Sequence, residues 1–208
     1  MSGRFNRNSN VRTHGGIPLN PRIRLITSFI FLIALYGCGS MMATFESDTI
    51  EEDPGERSFS QQVEDESIET KAIVNIHAAN EDFDTAEFLV VSYNGYVLIA
   101  GEVANQALKD QASSVVREIP GVRRIYNEME IGRPSDAKTE ASDVWITAQV
   151  KSVLLFGSDT PSMRVKVVTE NSVVYLMGLL TAEEAQRVAE EAAEVKGVTR
   201  VVQLFEII

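Results

Sequence analysis

Two stretches of the chain carry the same order of apolar patterns, about 77 residues apart. A helical period runs over about Ile68–Ala79 and again over Val144–Phe156. Two strand-like runs follow in the first copy, Glu87–Tyr93 and Tyr96–Glu102, joined by Asn94-Gly95. That dipeptide suits a two-residue hairpin, whose central positions both need positive φ. The run Tyr93–Gly101 lines up with Glu170–Gly178, and Asn171-Ser172 holds the corresponding turn. A second helix is predicted in each copy, with Leu108, Ala112, Val115 and Ile119 on one face of the first and Ala185, Val188, Ala192 and Val195 on one face of the second. Thr181 precedes Glu184 by three residues, the pattern of a capping box.

Glycines punctuate both copies at matching places. Gly101 and Gly178 close the second strands, where a missing Cβ is expected to let a helix pack close. Gly121 and Gly197 are expected to stop the second helices. A last strand follows each, over Val122–Ile131 and Val198–Ile208. The prediction is an α+β chain of two tandem αββαβ domains, each with two helices on one face of a three-stranded mixed sheet. The domains are expected over residues 66–133 and 143–208, with a short polar link over 134–142.

Residues upstream read as an address and an anchor. Arg22 and Arg24 precede an uncharged run, Leu25–Tyr36, too short for the ~20 apolar residues of a bilayer-spanning helix but suited to a signal-peptide core. The run ends in Leu35-Tyr36-Gly37-Cys38, which resembles a lipobox with a small residue before the cysteine. Residues 1–37 are therefore expected to be a lipoprotein-type signal peptide, and Cys38 the lipidation site, its thiol carrying the diacylglyceryl group as a thioether. An ordinary secreted chain with one free cysteine is the other reading. Gly39 at the next position implies sorting to the outer membrane by the rule known for enteric-type bacteria. Residues 38–65 are strongly acidic, contain Pro54-Gly55 and lack an apolar period, so they read as a disordered, self-repelling tether with a reach of ~30 Å.

Charge narrows the function classes. The chain carries a net charge of -11. Its first 37 residues hold five arginines and no acid; taking those five from the 19 basic side chains leaves 14 against 30 acidic ones downstream. A mature chain this acidic is a poor partner for nucleic acid. Only two histidines are present and His77 alone lies downstream of Cys38, so metal-ligand spacing is absent. No nucleophile motif or phosphate loop appears. An enzyme is not expected, nor a cofactor, a metal or a small-molecule substrate.

The strand ending Val97-Leu98-Ile99-Ala100-Gly101 with the turn Gly121-Val122-Arg123-Arg124-Ile125, and their counterparts Val174-Tyr175-Leu176-Met177-Gly178 and Gly197-Val198-Thr199-Arg200-Val201, resemble the BON domain. Tyr126-Asn127-Glu128, the run Ala141–Thr147 and Lys166–Asn171 are similar to the dual-BON outer-membrane lipoproteins of Gram-negative bacteria. The resemblance covers about residues 66–208. It implies a periplasm-facing protein of the outer membrane that supports envelope integrity, binds anionic phospholipid through its second BON domain and is linked to the outer-membrane protein assembly machinery.

The residues themselves point to the helix Val144–Phe156. Ile146, Val150, Val153 and Leu154 share one arc, expected to be core, while Trp145, Ala148, Leu155 and Phe156 share another. Trp145 is the only tryptophan, a residue favoured where an apolar body meets headgroups. Counted at the 77-residue offset, Trp145, Ala148, Ser152 and Leu155 match Ile68, Lys71, Asn75 and Ala78, so only the second copy keeps bulky apolar groups there. Lys151, Arg164 and Lys166 are expected either to form a basic patch beside the helix or to be a solvated strand face. The candidate phospholipid contacts are Trp145, Ala148, Lys151, Leu155, Phe156 and Lys166. Packing of Trp145 and Phe156 against the first domain is the competing reading, and a protein-binding adaptor or chaperone for outer-membrane protein assembly the competing function.

Overall fold

The computed structural model describes residues 57–157 and 160–208. The signal peptide, Cys38 and the acidic stretch up to residue 56 lie outside the described residues. Helix α1 (Phe59–Ala79) leads into a 3₁₀ turn (Glu81–Thr85), strands β1 (Glu87–Tyr93) and β2 (Tyr96–Val103), helix α2 (Gln106–Arg117) and the short strands β3 (Arg124–Asn127) and β4 (Glu130–Ile131). The order repeats as α3 (Ala137–Phe156), a 3₁₀ turn (Ser162–Arg164), β5 (Val165–Glu170), β6 (Val173–Leu180), α4 (Ala182–Ala193) and β7 (Arg200–Ile207). In each half the first two strands pair antiparallel and the last runs parallel to the middle one. These are the two mixed sheets read from the apolar pattern, with β3 and β4 interrupting what the sequence suggests is one strand.

Both first helices start earlier than their apolar period. α1 begins nine residues before Ile68, so the end of the stretch read as tether is helical. α3 begins at Ala137, inside the expected link. Polar caps explain the extension: Ser58 Oγ accepts from Gln61 N–H, and Asp136 accepts from Thr139 N–H. The added turns are largely exposed, and their apolar residues in α1, Phe59 and Val63, stay outside the core.

Each first helix carries one buried carboxylate that holds the hairpin turn. Asp65 accepts from the Asn94 and Gly95 amides at 2.8 and 2.9 Å and from the Ser92 hydroxyl at 2.7 Å. Arg57 closes the cluster at 2.7 Å. Asp143 repeats the arrangement on the Asn171 and Ser172 amides at 2.7 and 2.9 Å. Both turns hold two successive positive φ angles, 51° and 74° in the first and 50° and 62° in the second. The carboxylates thus satisfy amides that this turn points away from the sheet. Burial alone would raise the Asp65 pKa, but the donors from Gly95, Ser92, Arg57 and Asn94 together hold it below the usual carboxylate value.

The close approach expected at Gly101 and Gly178 is not that of a helix, and Gly121 and Gly197 lie in the turns after the second helices rather than at their ends. A Cβ on Gly101 would come within 2.6 Å of Phe88 Cα, and one on Gly178 within 2.6 Å of the Arg164 carbonyl oxygen. Close approach there is by the backbone of the neighbouring strand region, not by a helix. Helices approach at the other pair instead: a Cβ on Gly121 or Gly197 would meet Ile68 Cδ1 or Ile146 Cδ1 at 3.2 Å. Both have positive φ, 92° and 101°, and sit third in a turn closed by Val122 N–H to Ile119 O and Val198 N–H to Val195 O. The second helices end four residues before these glycines, at Arg117 and Ala193.

The helix-facing sides of the sheets make two cores. One joins Ile68, Ala72 and Ile76 to Val97, Ile99, Leu108, Ala112 and Val116; the other joins Ile146, Val150 and Leu154 to Val174, Leu176, Val188 and Ala192. Val116 takes the fully buried place expected of Val115, which packs at the core's edge. The opposite sides of the two sheets pack on each other. Tyr93, Leu98 and Ala100 meet Val173, Tyr175, Met177 and Leu204. Asn94 Nδ2 reaches Glu206 at 2.7 Å, and Arg123 binds the same carboxylate through two nitrogens at 2.8 and 2.7 Å. Tyr93 Oη donates to the Arg164 carbonyl oxygen at 2.9 Å. β2 and β6 are therefore buried on both faces and read as continuous apolar runs. The described residues form one compact unit that contains both cores and the packing between the sheets.

Asp65→Ala leaves two turn amides and the Ser92 hydroxyl without their acceptor. The expected loss in urea unfolding of residues 51–208 is about 3 kcal/mol, and Asp65→Asn, which keeps one acceptor oxygen, should lose less. A loss below about 1 kcal/mol for the alanine variant would show that the clamp is dispensable.

Candidate functional site: the outer face of the second domain's first helix

α3 buries Asp143, Ile146, Val150 and Leu154, half-buries Thr147, whose hydroxyl donates to Thr169 at 2.7 Å, and turns most of the rest outward. Val153, expected in the core arc, is 39 % exposed and belongs to the outer face. Trp145 is 51 % exposed, Leu155 58 % and Phe156 83 %, with Ala148 and Lys151 exposed beside them. These five candidate residues lie on one side of the helix, and neither Trp145 nor Phe156 is sealed against the first domain. Val144, exposed at the flank, and Met163, almost fully exposed in the 3₁₀ turn before β5, extend the apolar surface. Helical spacing places Val144 within about 20° of Leu155, whereas Met163 lies outside the helix and has no such signal. Between Ala141 and Phe156 the one acid is Asp143, which points inward to its turn amides, and the one base is Lys151. The outward side of α3 is thus free of acids over this span, with Glu140 just before it and the Glu191 carboxylate beside Gly157 just after it.

Lys166 does not join this face. Its Nζ binds Glu69 Oε1 at 2.8 Å, across the boundary with the first domain. Arg164 is paired with Glu184, and its guanidinium also donates to the Leu179 carbonyl oxygen at 3.2 Å. The basic patch expected of Lys151, Arg164 and Lys166 is thus dissolved by pairing. Lys151 makes no ion pair among the described residues.

The clamp residues fix the register between the copies. Asp65 and Asp143 are equivalent, which pairs Ile68 with Ile146, Ala72 with Val150 and Ile76 with Leu154. The helical offset is therefore 78, one more than in the strands, and Ile68 is a core residue rather than the counterpart of Trp145. Trp145, Ala148, Leu155 and Phe156 correspond to Ser67, Thr70, His77 and Ala78. The contrast drawn from the sequence holds at Trp145, Ala148 and Leu155 in the corrected register, but it reverses at Ser152, whose counterpart is the exposed Val74, and the charge of Lys71 leaves the comparison. α1 does expose Phe59, Val63, Ile73 and Val74 on the matching outward side, Ile73 and Val74 standing where α3 has Lys151 and Ser152, and this side also carries Glu66.

A cleft of about 450 Å³ lies between the domains beside the start of α3, lined by Glu87, Glu140, Asp143, Glu170, Phe88 and Val168 among others. Burial raises the pKa of Glu170 to about 7, helped by the nearby charges of Glu102, Asp143, Glu87 and Glu140. Glu87 is raised in the same direction, by burial and by the adjacent Glu140. Glu102 is buried, accepts from Asn171 Nδ2 through one oxygen and has no partner for the other among the described residues. Among the described residues no group of histidine, cysteine or carboxylate side chains is arranged to hold a metal ion. No helix among them is long and apolar enough to cross a membrane.

A duplicated αββαβ unit with these glycine turns defines a class, and comparison with known families agrees: residues 64–133 and 142–208 each match the BON domain. The chain belongs to the BON-domain family and carries two copies of the domain. It is similar to Outer membrane lipoprotein DolP of Haemophilus influenzae, 30% identical over 193 residues that span 91% of this chain and 96% of that protein. It is similar to the 21 kDa hemolysin of Actinobacillus pleuropneumoniae, 34% identical over 152 residues, 73% of this chain and 78% of that protein. It also matches Osmotically-inducible protein Y of Escherichia coli, 25% identical over 172 residues, 79% and 86% of the two chains.

The raised Glu170 pKa has a definite sign in stability. An acid whose folded value lies above its unfolded 4.5 contributes fully below 4.5, and that contribution is lost as pH rises through about 7. The thermal midpoint of residues 51–208 should therefore rise when the pH is lowered from about 8 to about 6, and Glu170→Gln should flatten most of that rise. An unchanged slope in the variant would remove Glu170 as its source.

Proposed function

We propose that the chain is an outer-membrane lipoprotein, anchored through Cys38 and facing the periplasm, that supports envelope integrity by binding anionic phospholipid through the outer face of α3. The observation that carries this reading is the face itself. Trp145, Leu155 and Phe156 stand exposed together on a helix whose outward side carries Lys151 and no acid between Ala141 and Phe156. Apolar side chains provide insertion, the indole suits the headgroup zone, and one cation near an anionic surface adds ~1 kcal/mol. Tethering lowers the affinity that is needed, because an anchored module samples its own membrane at high effective concentration. The similarity to an outer membrane lipoprotein along nearly the whole chain supports the location.

A second reading, a protein-binding adaptor for outer-membrane protein assembly, draws support from Phe59, Val63, Ile73 and Val74, exposed on the matching outward side of α1. Their acidic neighbour Glu66 makes this side a poorer match for an anionic membrane and a better one for protein.

In sedimentation with phosphatidylglycerol-containing vesicles, Trp145→Glu in residues 51–208 should reduce bound protein at least tenfold, with an unchanged circular dichroism spectrum. Trp145→Phe should retain most binding. Equal binding by the folded glutamate variant would exclude α3 as the lipid contact.

A further inference from the structure

The two domains differ at one place in how they close the gap between the first helix and the outer edge of the sheet. In the first domain the 3₁₀ turn before β1 inserts Phe83, which is completely buried in the core and meets Phe88 edge-on at 5.9 Å between ring centroids. His77 of α1 also lies against Phe88, at 5.2 Å between centroids with the rings tilted by 32°. Strand register gives the matching residues in the second domain. Phe88 pairs with Gly101 and Val165 with Gly178, so Val165 stands for Phe88 and Val167 for Val90. Counting back five residues from each strand position, Thr160 stands for Phe83. Both aromatic rings are thus replaced by small side chains. From Gly157 to Arg164 the one large apolar residue is Met163, and it is 87 % exposed rather than inserted.

The result is a groove of about 260 Å³ where the first domain has its plug, lined by Leu154, Leu155, Met163, Val165 and Val167, with Lys151 and Ser162 at its polar limit. It is smaller than the ~300–1,000 Å³ typical of pockets for compact ligands. Its walls offer almost no hydrogen-bonding groups. A thin apolar chain with an anionic head fits such a lining, the chain against the leucine, methionine and valine side chains and the head on the Lys151 ammonium. Leu155 belongs both to the groove and to the exposed face of α3, so the two surfaces are continuous.

We propose that this groove is an acyl-chain slot, which receives one chain of an anionic phospholipid where the first domain holds Phe83. The slot rests on the membrane-facing reading of α3 and adds to it a defined site for a single lipid molecule. Lipid is then held in two ways: the face of α3 enters the headgroup region, and one acyl chain leaves its neighbours to lie between α3 and β5.

Titration calorimetry with lysophosphatidylglycerol below its micelle-forming concentration tests the slot on residues 51–208. Saturable one-to-one binding is expected. Thr160→Phe, a loop substitution that imitates the first domain's plug, should weaken it at least tenfold, and Val165→Phe should do the same from the strand side. Thermal midpoints near that of the parent chain show that both variants fold. Lys151→Glu should weaken the anionic lysolipid more than lysophosphatidylcholine. If the parent chain reaches anionic vesicles yet shows no saturable lysolipid binding, or if both phenylalanine variants bind as it does, the slot is wrong and the membrane reading stands. If lysolipid binding is intact but vesicle recruitment fails, the membrane reading is wrong and the slot stands.

Discussion

Everything outside the two cores is arranged by the packing of one sheet on the back of the other. A three-stranded sheet with helices on one side leaves its second side apolar and uncovered, and each domain alone would expose Leu98 and Ala100, or Tyr175 and Met177. Placing the two backs together buries both at once. It also decides what remains outside. The helix layers become the two outer surfaces, and the core-facing stripes of α1 and α3 are already occupied by the sheets. Whatever apolar groups sit on the far sides of these helices must then face solvent or a partner. The exposure of Trp145, Leu155 and Phe156 follows from that geometry rather than from any looseness of the helix.

Within each half, the carboxylate of Asp65 or Asp143 ties the helix to the hairpin by binding two turn amides. The same bond permits Ser172 to sit at a φ of 62°, where a glycine stands in the other copy. With this frame retained in duplicate, divergence is confined to surfaces. The first copy keeps polar groups at Ser67 and Thr70 and fills its edge with Phe83. The second copy carries the indole and leaves the edge open. The sheet interface holds its own polar contacts, Lys166 with Glu69 and Asn94 with Glu206, and this is why cations that look available in sequence are engaged in the fold.

The fold was legible because its signals are local and repeated. Period-two and helical patterns, Asn94-Gly95, and the Gly121 and Gly197 turns all act within a few residues. The outward arc of α3 was legible for the same reason, since helical spacing alone separates Trp145 and Phe156 from Ile146 and Val150. What sequence did not disclose depends on partners distant in the chain. Lys166 lies 97 residues from Glu69, and nothing near it marks the pair. Asp65 lay in what reads as an acidic tether, although its match with Asp143 one repeat later is a signal that was present. Using the strand offset for the helix placed Ile68 opposite Trp145. Buried carboxylates at the same place in both copies are what set the register correctly.

Depth measurement along the helix bears most directly on the central claim, that the far side of α3 is the surface that meets the bilayer. Spin labels placed singly at positions 145, 148, 152 and 156, and at 67, 70 and 74 on α1, report oxygen and aqueous-quencher access with anionic vesicles present. Labels on α3 should become oxygen-accessible and shielded from the aqueous quencher, while those on α1 stay in water. Aqueous access at every α3 position, or equal shielding of both helices, would contradict the account.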